Sequence, residues 1–119
     1  MIPGERREYP ARPQSVNLVY FAVFDDTMSK LLQQGMGRTL NISTGGILLE
    51  TYDRIFDSGK ILITLGLKDD MVEVSADVVH SSNGENNTYN TGLSFDIADQ
   101  DILLKLKKYI KIFHELEEK

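Results

Sequence analysis

The chain contains no cysteine, which excludes disulfides and thiolate metal sites. No segment approaches the roughly 20 consecutive apolar residues that a helix needs to cross a bilayer. No apolar run follows the N-terminal arginines either, so the sequence predicts no signal peptide and no membrane insertion. The expectation is a soluble, cytoplasmic protein, in which the glycosylation-like triplets Asn41-Ile42-Ser43 and Asn86-Asn87-Thr88 carry no meaning. Tryptophan is absent, the formal net charge is -5, and no basic stripe is present. Binding of DNA or RNA wants a basic groove with stacking aromatics, so that class is set aside. Two histidines, His80 and His114, make no metal cluster. There is no Ser-His-Asp constellation and no Walker-type loop. Asp25-Asp26 and Asp69-Asp70 read as solvated turns rather than catalytic pairs. The chain is expected to be neither an enzyme nor the holder of a cofactor.

What is present is an ordinary globular balance, with 41% hydrophobic and 26% charged residues in 119 positions. That is enough for one core and one domain. All three prolines fall within residues 1–13, which show no apolar periodicity and read as an arginine-containing leader. Residues 14–119 read as a single domain. Val16 to Phe24 is a first strand, apolar in both phases and therefore expected to be covered on both faces. Asp25 to Met36 is polar, with a short helical turn expected near Met28 to Leu32. Arg38 to Ile42 and Ile47 to Glu50 are strands joined by a Ser-Thr-Gly-Gly hairpin connection. Ile61, Ile63, Leu65 and Leu67 alternate in a fourth strand. Val72, Val74, Ala76, Val78 and His80 mark one face of a fifth. Ser81 to Asn87 is a loop, and Tyr89 to Phe95 the last strand. Then the period changes. Ile102, Leu106, Tyr109, Phe113 and Leu116 recur as on one helix face, widened by Leu103 and Ile110. The helix is expected over about 99–117, with Asp99 as its N-cap. These elements predict a mainly β fold, a small six-stranded antiparallel barrel with the C-terminal helix against one opening or side.

Two segments carry chemistry. The first is Glu5-Arg6-Arg7-Glu8-Tyr9-Pro10-Ala11-Arg12-Pro13. Guanidinium forks pair with phosphate and with the O6/N7 edge of guanine. The same arginines can also sit in solvated ion pairs with Glu5 and Glu8, which contribute little. The second is Asn41-Ile42-Ser43-Thr44-Gly45-Gly46. Asn41 and Ser43 can hydrogen-bond a ligand or close the turn through their own backbone. Gly45 and Gly46 supply positive φ or close backbone approach. His80, near a strand end, can stack on a base or simply pack.

The order of these features resembles a PilZ domain. That family carries an RxxxR motif near its start and a [D/N]xSxxG motif some tens of residues later. Asn41, Ser43 and Gly46 match the second motif in full, and Gly92 and Phe95 match a Gly-x-x-Phe pattern of the last strand. Arg7 to Arg12 is RxxxxR, one residue longer than the family spacing. The resemblance implies a receptor for the bacterial second messenger cyclic di-GMP, bound by Arg6, Arg7, Arg12, Asn41, Ser43, Gly45 and Gly46. Ordering of the leader over the ligand would then act on a protein partner, which the sequence does not identify. The longer arginine spacing leaves a second expectation open, a PilZ-like protein–protein interaction module that binds no nucleotide.

Overall fold

The computed structural model describes residues 18–67 and 70–117. The leader, with Arg6, Arg7 and Arg12, lies outside the described residues, as do Val16, Lys68 and Asp69. Within them six strands follow in order: β1 (Leu18–Phe24), β2 (Leu31–Ser43), β3 (Gly46–Thr51), β4 (Lys60–Gly66), β5 (Met71–Asn83) and β6 (Tyr89–Asp96). The helix α1 (Gln100–Glu117) comes last. The strands close a barrel in the order β1-β2-β3-β6-β5-β4, with every neighbouring pair antiparallel.

Alternation along each strand sends one set of side chains inward. Val19, Phe21 and Val23 from β1, Ile61, Ile63 and Leu65 from β4, and Val72, Val74 and Ala76 from β5 are all buried. Ile47, Leu49 and Leu93 complete the wall. Burying each large aliphatic side chain contributes about 1.5–3 kcal/mol. The apolar stripe of α1 joins this core through Leu106, Tyr109 and Phe113, each fully buried. Tyr109 and Phe113 stack with ring centroids 6.3 Å apart. The Tyr109 hydroxyl and Thr39 Oγ1 lie 3.3 Å apart inside the barrel, and burial pushes the Tyr109 phenol up from its ordinary pKa. Asp99 Oδ1 accepts the Ile102 amide at 3.0 Å, the expected N-cap bond. Lys105 of α1 meets Asp70, just before β5, at 2.9 Å, and its ammonium holds the Asp70 carboxyl below the usual range. Lys105 thereby ties α1 to the barrel end where β4 finishes and β5 begins. Antiparallel order puts the β2–β3 turn and the start of β1 at that same end.

Three expectations are corrected. First, β1 is covered on both faces only in its second half: Ala22 is buried, whereas Leu18 and Tyr20 on the same face are exposed. Second, no helical turn spans Met28 to Leu32. The Asp25 carboxylate accepts the Ser29 amide at 2.9 Å, closing a tight turn, and β2 then runs from Leu31 for 13 residues. Its first half is held by particular pairings rather than by an apolar pattern. The Gln33 side chain donates to the Arg54 carbonyl and accepts from the Phe56 amide, both at 2.8 Å. Gly35 faces Phe21, whose ring would stand 3.1 Å from any Cβ there. Third, β5 continues to Asn83, so the connecting loop begins at Gly84. That loop turns through Asn86 and Asn87, with φ of 57 and 64, values that asparagine tolerates.

Candidate functional site

The Asn41–Gly46 segment forms the β2–β3 hairpin, with Ser43 paired to Gly46 across Thr44 and Gly45. A bulge precedes it. Thr39 pairs with Leu49 but Asn41 pairs with Leu48, leaving Leu40 as the extra residue. A bulge adds one residue to one strand and so reverses the in/out phase beyond it. Thr39 is buried, whereas Asn41, two positions on, is exposed. Without Leu40 in the bulge, Asn41 and Ser43 would point into the core and Ile42 outward.

Both polar side chains support the backbone. Asn41 Oδ1 accepts the Ile42 amide at 2.9 Å, and Ser43 Oγ accepts the Gly45 amide at 3.2 Å. These bonds occupy acceptors and leave the donors: the Asn41 Nδ2 hydrogens and the Ser43 hydroxyl hydrogen. Donors are what phosphate oxygens and the guanine O6/N7 edge require. Neither glycine has the positive φ that the sequence allowed for. Close approach is the reason at Gly46, where a Cβ would fall far inside contact distance of the Leu93 carbonyl oxygen. Gly45 has ordinary room, its nearest neighbour being Ser43 Oγ at 3.7 Å. The Gly45 carbonyl also accepts the Phe95 amide at 2.9 Å, which fixes the hairpin to β6.

Beside the hairpin lies an open trough of about 350 Å³. Asn41, Ser43, Gly45 and Gly46 line it together with Leu48 of β3, Gly92 and Ser94 of β6 and Val79 of β5. The four hairpin residues singled out from the sequence are therefore brought together. No lysine or arginine lines the trough among the described residues. The nearest guanidinium along β2 is Arg38, which holds Glu50 Oε1 through Nε at 3.0 Å and Nη2 at 2.9 Å. Glu50 Oε2 in turn accepts the Thr88 hydroxyl at 3.2 Å. Arg54 is engaged at the other end of the barrel, its guanidinium 5.2 Å from the Tyr89 ring centroid. A cation for an anionic ligand is thus wanted from elsewhere in the chain.

His80 differs from its expected placement. A second bulge, at Val79, separates the Val78–Leu93 pair from the His80–Gly92 pair. It turns His80 away from the phase of Val72, Val74 and Ala76 and leaves it exposed. His114 is exposed on α1 and meets Phe113 edge-on. No group of three potential metal ligands occurs among the described residues, and no helix among them is long and apolar enough to cross a membrane. The β6 and β5 sides of the trough were not singled out as a site from the sequence. Their one signal was Gly92, noted only as part of a family pattern.

Comparison with known proteins agrees with the barrel. The family model described as "PilZ domain" matches residues 5–111. The structure resembles the PilZ domain of CeSA from a cellulose-synthesizing bacterium, with a TM-score of 0.52 at 16% identity, over 86% of this chain and 95% of that one. It also resembles MrkH of K. pneumonia in its apo state, with a TM-score of 0.51 at 12% identity, over 71% of this chain and 36% of that one. At these identities the two likenesses speak for the fold. The comparison with curated protein sequences gives no match.

Proposed function

Because the chain belongs to the PilZ domain family, whose members are non-catalytic modules that generally bind cyclic di-GMP, we propose that it is a cytoplasmic receptor for that messenger. The observation that carries this reading is the trough beside Asn41 and Ser43, which offers hydrogen-bond donors and lacks a cation of its own. Arg6, Arg7 and Arg12 supply the missing charge. Leu18, where the described chain begins, is registered against Arg38, three positions along β2 from Asn41. Arg12 stands six positions before Leu18. An extended chain covers about 3.3 Å per residue, so roughly 20 Å of reach is available to bring it to the trough. Residues 1–13 act as the leader and 14–119 as the domain that it closes on. Ligand capture orders the leader, costs conformational entropy, and changes the surface offered to a protein partner. Titration calorimetry with cyclic di-GMP tests the reading. Saturable binding is expected, and a folded protein giving no heat at high micromolar ligand would sink it.

Two observations favour a second reading. Arg7 and Arg12 are spaced RxxxxR, and both Asn41 and Ser43 already have structural work. A PilZ-like interaction module that binds no nucleotide satisfies both facts. In a pull-down it would retain its protein partner equally with and without the messenger. Ligand-induced hydrogen-exchange protection of residues 5–13 would count against it.

A further inference from the structure

The barrel order places β3 and β4 on opposite sides. Residues 52–59, which join them, therefore cross the barrel opening away from α1. This connection is fastened along its length. Thr51 Oγ1 donates to the Asp53 carbonyl at 2.6 Å. Gln33 of β2 bonds the Arg54 carbonyl and the Phe56 amide, and Ile55 between them is buried in the core. The Arg54 guanidinium, beside the Tyr89 ring, donates to Ser81 Oγ at 3.3 Å.

A connection held this firmly still leaves the Tyr52 and Phe56 side chains exposed. Leu31 and Leu32, just before Gln33 on β2, are exposed as well. The Gln33 bonds on either side of Ile55 bring the two leucines and Phe56 into one patch. Single exposed apolar residues need no explanation, but a cluster of them marks an interaction surface. The backbone and Ile55 hold the loop, so these exposed rings are free to serve as anchors. Aromatic anchors on a pre-formed backbone lower the ordering cost of association.

Two features say what fits here. Phe56 borders a recess of about 250 Å³, whose lining includes Ile55, Asp57 and Val78. A projecting ring and a hollow thus lie side by side. Residues 52–60 carry Asp53, Arg54, Asp57 and Lys60, two charges of each sign, and none of them forms an ion pair with another described residue. A twofold contact brings one patch against itself, so that patch must hold both members of every pair. A ring beside a hollow and cations beside carboxylates meet that condition. On a chain of net charge -5, a locally neutral patch is also where two copies repel least.

We infer that this end of the barrel binds a second copy of the chain. Phe56 of each copy enters the recess of the other, Leu31 and Leu32 close the apolar centre, and the two cations meet the other copy's two carboxylates. The trough adjoins the β2–β3 turn, at the opposite end, so both copies keep theirs open. Pairing in this way does not depend on the receptor reading.

Sedimentation equilibrium of the full chain is the test. A patch of this kind gives weak association, so a monomer–dimer exchange is expected between about 10 µM and about 1 mM. Phe56→Asp weakens it by at least about tenfold, the effect of losing a central aromatic anchor. Its melting temperature stays parental, because the Phe56 backbone, not its ring, holds the loop. Leu32→Glu weakens the association likewise and carries the test if Phe56→Asp melts lower. Leu104→Glu, on the exposed side of α1, leaves it unchanged. A parent that stays monomeric throughout overturns the inference. So does parental association in both Phe56→Asp and Leu32→Glu, or its loss in Leu104→Glu. Mass growing past the dimer overturns it too, since a twofold contact closes.

Discussion

In the turn from β1 to β2, the Asp25 carboxylate accepts the Ser29 amide at 2.9 Å and the Lys30 amide at 3.3 Å. In the turn from β2 to β3, Ser43 Oγ accepts the Gly45 amide at 3.2 Å, and Asn41 Oδ1, two residues earlier on β2, accepts the Ile42 amide at 2.9 Å. The local chemistry is the same: a short polar side chain takes a backbone N–H that a turn leaves without a strand partner. Of these two turns the second adjoins the trough that the described residues line. Two features beyond the turn itself make the difference. A bulge aims Asn41 and Ser43 outward, and Gly46 and Gly92 leave adjacent strands without side chains there. Polar turn residues are therefore not a site by themselves. They become one where the neighbouring sheet has been emptied to receive something.

Substitution can break this contrast at several points. The largest effect is expected at Gly46. Gly46→Ala drives a Cβ into the Leu93 carbonyl and must push β3 away from β6, a loss of about 3 kcal/mol at the upper end for overpacking. Gly45→Ala meets nothing closer than 3.7 Å and should stay within about 0.5 kcal/mol of the parent. Urea unfolding of the pair checks that adjacent glycines have different reasons to be there. Next come the ligand contacts. Arg7→Ala and Ser43→Ala should each weaken cyclic di-GMP binding by at least tenfold in calorimetry, since a hydrogen bond to a charged group contributes about 1.5–3 kcal/mol. Arg12→Ala reports whether the lengthened spacing still delivers that arginine. Asp25→Ala, at the turn without a trough, should leave ligand affinity unchanged.

The smallest effect is a pH dependence. The Ser29 amide, first among several hydrogen bonds, holds the Asp25 carboxyl below its ordinary value of 3.8. A depressed folded-state pKa adds stability above the unfolded value and loses it as pH falls through the folded one. Stability of the parent should therefore fall slightly more than that of Asp25→Asn as pH is lowered below about 4. Equal acid profiles for the two proteins would show that the carboxylate does not hold its turn.

Much of this architecture could be read from periodicity. The alternation of Ile61, Ile63 and Leu65, and of Val72, Val74 and Ala76, named the inward faces correctly, as did the Leu106–Tyr109–Phe113 spacing for α1. The failures share a physical cause. Gln33 and Gly35 sit in a strand because of what lies across from them, namely the Arg54–Phe56 backbone and the Phe21 ring. His80 departs from its phase because β6 offers one residue fewer than β5 along that stretch. Bulges and cross-strand rescue are properties of pairs of strands, and one strand's pattern does not contain them. The Asn41–Gly46 half of the candidate site was legible because its residues are contiguous. The side of the trough formed by Val79, Gly92 and Ser94 was not, because only the register joins it to the hairpin.

The register of Leu18 against Arg38 has a consequence for the odd arginine spacing. It makes β1 the anchor of a short tether, so for the proposed receptor the arginines are intramolecular reagents whose effective concentration is in the millimolar range. Closure entropy grows only with the logarithm of tether length, and one extra residue between Arg7 and Leu18 costs roughly 0.1 kcal/mol. The added residue is thus nearly free in entropy. Any penalty for RxxxxR must be stereochemical, set by where Pro10 and Pro13 let the backbone point. Replacing those prolines, rather than deleting a residue, is the change that would reveal it.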